Sequence, residues 1–133
     1  MNCSLVDDDT IQAQARAVLE AEGFAAFRPT AYAYRYDIVG LSSKHFPPER
    51  LHVLSIAEIE PPLRCIGVAL FPRAKRILDG ILRGDALPPI YVELLPDFSG
   101  LYRYRATDGF HRFHLSRALG LSQIPAIVWP SSE

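Results

Sequence analysis

Residues 106–114 read Ala106-Thr107-Asp108-Gly109-Phe110-His111-Arg112-Phe113-His114 and predict a strand that turns directly into a helix. A strand-like run, residues 101–107, stops at the Asp-Gly pair, and a helix-like run, residues 110–119, begins at once. The N-terminus of a helix presents free backbone N–H groups and the positive end of its dipole, which suits an anion. His111 and Arg112 lie in the first turn and add side-chain donors, so we expect the functional site here.

The sequence on either side of this turn predicts a mixed sheet with flanking helices. Helices are predicted at residues 11–22, 72–83 and 110–119, and strands at residues 31–36, 51–59, 90–95, 101–107 and 124–129. Apolar stripes of helical period identify the helices, and apolar or alternating runs bounded by Gly and Pro identify the strands. The resulting order, α-β-β-α-β-β-α-β, is typical of a compact α/β or α+β domain.

The 133 residues correspond to one domain, with a core expected at residues 51–130 and an N-terminal extension at residues 1–45. The extension combines the first helix with a strand of alternating tyrosines, and it forms either an added lobe or an edge of the sheet. Asp9 and Gln12 have the spacing of a capping box at the start of that helix.

Composition and charge limit the class of protein. At 49% hydrophobic and 22% charged residues, the chain is expected to be globular rather than disordered. A formal net charge of −1 gives no overall attraction to nucleic acid, so such a contact would need a local basic face. The sequence has no apolar run long enough for a membrane helix. Because there is no signal-peptide pattern, Cys3 and Cys65 are predicted to be free thiols in the cytoplasm.

Three residues of the turn each have two interpretations. Asp108 is either the N-cap of the helix or a carboxylate that organises a metal-bound phosphate. Gly109 is a turn residue with positive φ, a conformation that also allows a ligand to approach the backbone. Arg112 lies on the inward-leaning side of the helix and needs an anionic partner, which is either a phosphate or a carboxylate such as Glu93 or Asp79.

The two histidines of the helix are not predicted to bind a metal. A His-x-x-His pair needs a further cysteine, histidine or carboxylate at ligand spacing, and the sequence offers none. We expect His111 to donate to a phosphate and His114 to be solvent-facing or partly buried.

Arginines cluster on two predicted elements. The helix at residues 72–83 has a basic side made of Arg73, Lys75, Arg76 and Arg83. Arg73 closes the anion site from the opposite side if it faces the turn. Arg103 and Arg105 share one face of their strand, and with the tyrosines they offer a surface for nucleic acid. Packing in the sheet core is the alternative interpretation for the tyrosines.

From about residue 51 to residue 129, the order and spacing of motifs resemble the ParB/sulfiredoxin superfamily. The matching motifs are Ile59-Glu60-Pro61-Pro62, the helix after Pro72, Leu87-Pro88-Pro89-Ile90-Tyr91-Val92, Asp108-Gly109-Phe110-His111-Arg112, and Ala118-Leu119-Gly120-Leu121 running into Ile124-Pro125-Ala126-Ile127-Val128. The resemblance implies an α+β fold with a mixed sheet and flanking helices, to which residues 1–45 add a helix and a strand. The sequence ends at Glu133, where ParB proteins continue into a helix-turn-helix, so a short stand-alone member is expected.

The resemblance also implies roles for the residues of the turn. In sulfiredoxins the matching loop reads Gly-Cys-His-Arg and holds nucleotide phosphates, so Gly109, His111 and Arg112 match its phosphate-holding residues. Phe110 occupies the position of the reactive cysteine, which excludes sulfinic-acid reduction by that route. In ParB proteins the loop reads Gly-Glu-Arg-Arg and binds a nucleotide triphosphate. Arg73 aligns with a phosphate-contacting lysine of the earlier helix.

We therefore predict a site for a nucleotide or a phosphorylated small molecule at Arg73 and residues 108–112. The resemblance implies ATP or CTP with Mg²⁺ as the ligand. Phosphoryl transfer or nucleotide hydrolysis would be the reaction, with Asp108 and His111 as candidate catalytic residues. The alternatives are a nucleic-acid-binding or nuclease module and a non-catalytic partner-binding domain.

Overall fold

The structure, a computed structural model, describes residues 4–36, 48–68, 72–96 and 100–130. The helices are α1 (Asp8–Ala21), α2 (Pro72–Arg83) and α3 (Phe110–Leu119), and the strands are β1 (Leu51–Ser55), β2 (Ile59–Glu60), β3 (Ile90–Leu94), β4 (Tyr104–Asp108) and β5 (Gln123–Trp129). Short 3-10 turns cover Pro48–Arg50 and Ile56–Glu58. The predicted α+β class, a mixed sheet with flanking helices, is confirmed.

The five strands form one mixed sheet in the order β1-β5-β3-β4-β2. β5 pairs antiparallel with β1 and parallel with β3, while β4 pairs antiparallel with β3 and parallel with β2. α3 connects β4 to β5, two strands that lie on opposite sides of β3. The turn that leads into α3 therefore starts beside the first residues of β3, where Asp108 pairs with Tyr91.

The predicted strand at residues 51–59 is interrupted, because the 3-10 turn Ile56–Glu58 separates β1 from β2. The two strands then join opposite edges of the sheet, β1 against β5 and β2 against β4. The predicted order of elements is observed, but its first two strands are β1 and β2.

The predicted strand of alternating tyrosines at residues 31–36 is wrong. Tyr34 is buried in the sheet core, whereas Tyr32 and Tyr36 are 75% and 41% exposed. The backbone carbonyls of Tyr32 and Arg35 accept hydrogen bonds from Ser122, Gln123 and Leu87, which lie outside the strands or at the start of one. Tyr36 forms only an isolated bridge with Leu87. Alternation in the sequence could not reveal that this segment forms no ladder with a strand of the described residues.

The N-terminal helix packs against the other two helices in an apolar cluster. Its members include Ile11, Ala15, Val18 and Leu19 of α1, Ala74 and Leu78 of α2, and Leu115 and Leu119 of α3. The predicted capping box at Asp9 is wrong, because Asp7 is the N-cap and accepts the Thr10 N–H at 2.7 Å. Gln12 instead donates to Asp8 at 2.9 Å. Residues 37–45 of the predicted extension lie outside the described residues.

The prediction of two free thiols is wrong for Cys65, which is disulfide-bonded. The other cysteine of the chain, Cys3, lies outside the described residues. The argument for the cytoplasm from free thiols therefore loses its support, because disulfides persist mainly in oxidising compartments. Among the described helices, none is long and apolar enough to span a membrane.

Candidate phosphate-binding cavity

A cavity of about 520 Å³ lies at the turn between β4 and α3. The six residues predicted for the site, Arg73, Asp108, Gly109, Phe110, His111 and Arg112, all line it. The remaining lining residues are Arg64, Arg76, Ile77, Leu87 and Pro88, which the sequence analysis did not assign to the site. α2 and the turn thus line the same cavity, with Arg73 among the lining residues.

Gly109 is required at this turn for two reasons. Its φ is 97°, in the left-handed region that side chains other than glycine rarely adopt. A Cβ at this position would also lie 2.4 Å from Cγ2 of Ile90, the first residue of β3. The backbone of the turn therefore lies directly against the sheet, and no larger residue fits.

The interpretation of Asp108 as the N-cap of α3 is wrong. Gly109 is the N-cap residue, and no side chain caps the helix. The left-handed Gly109 separates Asp108 from the helix by one residue. The Asp108 Oδ1 atom therefore accepts the N–H of Gly109 itself, at 2.8 Å.

Three backbone donors in the first turn of α3 are unpaired, and their residues line the cavity. The first bond of the helix runs from the Phe113 N–H to the Gly109 carbonyl at 2.9 Å. The N–H groups of Phe110, His111 and Arg112 precede that bond, and they have no acceptor in the part of the chain that the structure describes. Such N–H groups, together with the helix dipole, bind anions.

Four guanidinium groups line the cavity, from Arg64, Arg73, Arg76 and Arg112. None of them forms an ion pair with a carboxylate of residues 4–36, 48–68, 72–96 or 100–130. The only carboxylate in the described lining is that of Asp108. The cavity therefore has an excess of positive charge.

Arg112 has neither of the partners that the sequence analysis considered. Its Nη1 donates to the backbone carbonyls of Pro88 and Pro89, at 2.9 and 3.2 Å. Glu93 instead pairs with Arg105 at 3.6 Å, and Asp79 pairs with Lys75 at 3.3 Å. Arg112 holds the loop before β3 at the edge of the cavity, and its other N–H groups stay available to a ligand.

Arg64 is the main site residue that the sequence analysis missed. Its Nη2 lies 3.2 Å from Nε2 of His111 and 3.2 Å from the carbonyl of Gly67. Its guanidinium carbon lies 4.0 Å from the ring centroid of Phe110, which is a cation–π contact. Arg64 belongs to an irregular loop 47 residues before its histidine partner, so no periodic pattern could indicate the contact.

His111 positions Arg64 rather than donating from Nε2. A guanidinium only donates hydrogen bonds, so Nε2 of His111 is the acceptor and its ring proton lies on Nδ1. Burial and the nearby charges of Arg64 and Arg73 lower the pKa of His111 to about 4. The ring is therefore neutral at pH 7, and the expectation that it donates to a phosphate is wrong for Nε2.

His114 lies in a different hydrogen-bond network, and it is not solvent-facing. It is 1% exposed, its Nε2 donates to the Pro62 carbonyl at 2.8 Å, and its Nδ1 accepts from Arg117 at 3.0 Å. Arg117 also donates to both carboxylate oxygens of Asp8, at 2.7 and 3.1 Å. Burial, chiefly, lowers the pKa of His114 to about 4. With both ring nitrogens engaged, His114 has no free atom for a metal.

The other basic residues singled out from the sequence do not line the cavity. On α2, Lys75 pairs with Glu22 and Asp79, and Arg83 pairs with Asp85. On β4, Arg105 pairs with Glu60 at 3.0 Å and with Glu93. Only Arg73 and Arg76 of the basic side of α2 reach the cavity.

No family model and no curated protein matches the chain. The solved structures that are similar to it in fold include a sulfiredoxin and a ParB protein. Sulfiredoxin from Arabidopsis thaliana is 20% identical over 61% of this chain and 85% of its own, with a TM-score of 0.47. The C-terminally truncated chromosome-partitioning protein ParB from Caulobacter crescentus, complexed with CTP-gamma-S, is 20% identical over 62% of this chain and 46% of its own, with a TM-score of 0.46. Sulfiredoxin and ParB are the proteins after which the superfamily suggested by the motifs is named.

Proposed function

We propose that this cavity binds a nucleotide or another small molecule that carries phosphate. The observation that supports the proposal most is that four arginines line one cavity together with the first turn of α3, whose N–H groups are unpaired, and that the described lining has a single carboxylate. Arginine is the residue best suited to phosphate, because its planar group donates two parallel hydrogen bonds.

The arginines would contribute to binding in two ways. Arg64 and Arg112 are fixed by the hydrogen bonds described above, so they offer preorganised donors. Arg73 and Arg76 are exposed and make no hydrogen bond or ion pair with the described residues, so they can close on a ligand from α2. Preorganised donors add affinity because little side-chain entropy is lost when they bind.

The apolar part of the lining suits the remainder of such a ligand. Ile77, Leu87, Pro88 and Phe110 supply this surface. A volume of about 520 Å³ lies within the usual range of small-molecule sites. A base or sugar would contact these side chains while its phosphates meet the arginines.

For phosphoryl transfer or hydrolysis, Asp108 is the better of the two candidate catalytic residues. Fixed donors that hold a phosphate also stabilise the charge that develops when it is transferred. Asp108 would supply the proton acceptor, because Nε2 of His111 is already occupied by Arg64. Phe110 carries no nucleophilic atom.

The nucleic-acid alternative has less support. Arg105, on the strand face proposed for such a contact, is paired with two carboxylates. The net charge of −1 supplies no general attraction for a phosphate backbone. The partner-binding alternative would be favoured by a salt bridge at Arg112, and Arg112 forms none with the described residues.

A thermal-shift panel of ATP, ADP, CTP, pyrophosphate and phosphate tests the proposal. We expect at least one of the polyphosphates to raise the melting temperature by several degrees, since binding stabilises only the folded state. Arg73→Ala and Arg76→Ala should each weaken that ligand about tenfold or more.

The matched control is Arg16→Ala, which removes an exposed arginine of α1 away from this cavity. It should bind as the wild type does. The absence of a shift with every ligand, or an equal loss in the control, would contradict the proposal.

A further inference from the structure

We propose that the ligand is a polyphosphate bound as the metal-free anion, with the arginines in the place of Mg²⁺. This inference rests on the proposed function and concerns the chemical form in which the ligand binds. Among the described residues of the lining, four positive side chains and one negative side chain leave an excess of three positive charges. A cavity of that charge attracts a multiply charged anion and repels a divalent cation.

The lining offers few ligands for a magnesium ion. Sites that hold Mg²⁺ beside phosphates use one or two carboxylates for the metal. The one carboxylate of the described lining, Asp108, accepts the Gly109 N–H through Oδ1, so Oδ2 is its only oxygen without a hydrogen bond to the described residues. Asp79 and Glu93 do not line the cavity and are paired with Lys75 and Arg105. Within the described ranges, no three His, Cys, Asp or Glu residues are grouped so that they could hold a metal.

The arginines are placed to do what the metal would do. Magnesium neutralises the oxygens of neighbouring phosphates, and guanidinium groups can do so with directed hydrogen bonds. Arg64 comes from the loop before α2, Arg73 and Arg76 from α2, and Arg112 from α3. These groups surround the cavity from three elements, so a chain of phosphates can meet several of them at once.

Repulsion between the arginines supports the same conclusion. Burial, followed by the charge of Arg73, lowers the pKa of Arg64. The charges of Arg64 and Arg73 also contribute to the low pKa of His111. A polyanion placed between such groups removes the repulsion, and a ligand with more charges removes more of it.

Calorimetric titration with inorganic tripolyphosphate, pyrophosphate, orthophosphate and ATP tests the inference. Each ligand is titrated in EDTA and again in excess MgCl₂, with KCl added to match the ionic strength. We expect affinity to increase with the number of phosphates, and Mg²⁺ to weaken tripolyphosphate and ATP by about threefold to tenfold through charge neutralisation.

The two failures are distinguishable. Affinity that is equal or higher in Mg²⁺ overturns the inference and leaves the proposed function standing. No binding of any of these ligands in either buffer overturns both.

Asp108→Asn provides a second test, in which the inference predicts tighter binding and its failure predicts weaker binding. Asparagine keeps an Oδ1 acceptor for the Gly109 N–H but removes the negative charge from the lining. If the arginines alone hold the anion, the variant should bind tripolyphosphate about twofold to fivefold more tightly in EDTA. Loss of affinity in this variant, relative to wild type and to the control Asp9→Asn on the exposed side of α1, overturns the inference.

Discussion

Each end of helix α3 carries an arginine, but only the arginine in the last turn has a carboxylate partner among the described residues. In the last turn, Arg117 meets both oxygens of Asp8 and a ring nitrogen of His114. In the first turn, Arg112 meets only backbone carbonyls, beside three more arginines that have no carboxylate partner in the described chain. Charge that supports the fold is balanced inside the fold, because an unbalanced partly buried charge is costly. The unbalanced end is therefore the one that indicates a ligand.

The largest expected effect compares the glycines at the two ends of α3. Gly109 and Gly120 both have positive φ, but a Cβ at Gly120 meets nothing closer than Pro29 at 3.7 Å, whereas one at Gly109 collides with Ile90. Gly109→Ala should lower the free energy of unfolding by about 3–5 kcal/mol, since backbone strain and overpacking add. Gly120→Ala should cost about 1–2 kcal/mol, from strain alone.

Denaturant unfolding of the two variants measures this difference. Equal costs at both positions would mean that the close approach of the turn to β3 is not what makes glycine necessary at residue 109.

The second prediction concerns acid. Both His111 and His114 have a pKa of about 4 in the folded state, below the ordinary value of 6.5. Between pH 4 and pH 6.5, the unfolded chain therefore binds protons that the folded protein does not bind. The free energy of unfolding has its full value above pH 6.5 and decreases as the pH falls toward 4. Each histidine should lower the free energy of unfolding by about 2 kcal/mol when the pH falls from about 7 to about 5.

Unfolding free energies measured across this range check the sign and the size. His111→Gln and His114→Gln should each remove roughly half of the decrease attributed to the histidines. A stability that is flat or increases on acidification would show that the two rings are not held neutral.

The third prediction tests the balanced and unbalanced arginines directly. Arg117→Met should lower the free energy of unfolding by about 1–3 kcal/mol, because it leaves Asp8 without its ion pair and His114 without a donor. Arg73→Met should change it by less than about 0.5 kcal/mol, since Arg73 is exposed and has no hydrogen-bond or ion-pair partner among the described residues.

Chemical denaturation gives both values at low ionic strength, where repulsion between the cavity arginines is greatest. If Arg73→Met is as destabilising as Arg117→Met, the arginines of the cavity also support the fold and the contrast fails.

The last prediction concerns Arg105, where a small effect on stability and none on binding is expected. This residue is exposed and paired with two carboxylates at the surface, so Arg105→Gln should change stability by at most about 1 kcal/mol. Polyphosphate affinity should stay the same, because Arg105 does not line the cavity. A loss of affinity similar to that of Arg73→Ala would extend the binding surface onto β4.

The sequence was informative where local rules decide the structure. The predicted bounds of the third helix, residues 110–119, are those of α3, because an Asp-Gly turn begins it and Gly120 ends it. The six residues expected at the site lie together because five of them are consecutive. Contacts between distant segments were missed. Arg64 is an example, because its partner His111 lies 47 residues away in the sequence and becomes a neighbour only in the folded protein. The prediction of a strand at residues 31–36 was wrong for the same reason, since a strand forms only where another strand lies beside it.

The position of β5 has a consequence for synthesis. Of the five described strands, this one leaves the ribosome last, yet it lies between β1 and β3. Until residues 123–129 emerge, β1 lacks its sheet partner and Ile90, which supports the turn at Gly109, lacks Ala126 beside it. Folding of the nascent chain should therefore be completed only after translation of β5, and pairing between such distant segments is slow. The cavity residues are all translated before the strand that completes their support.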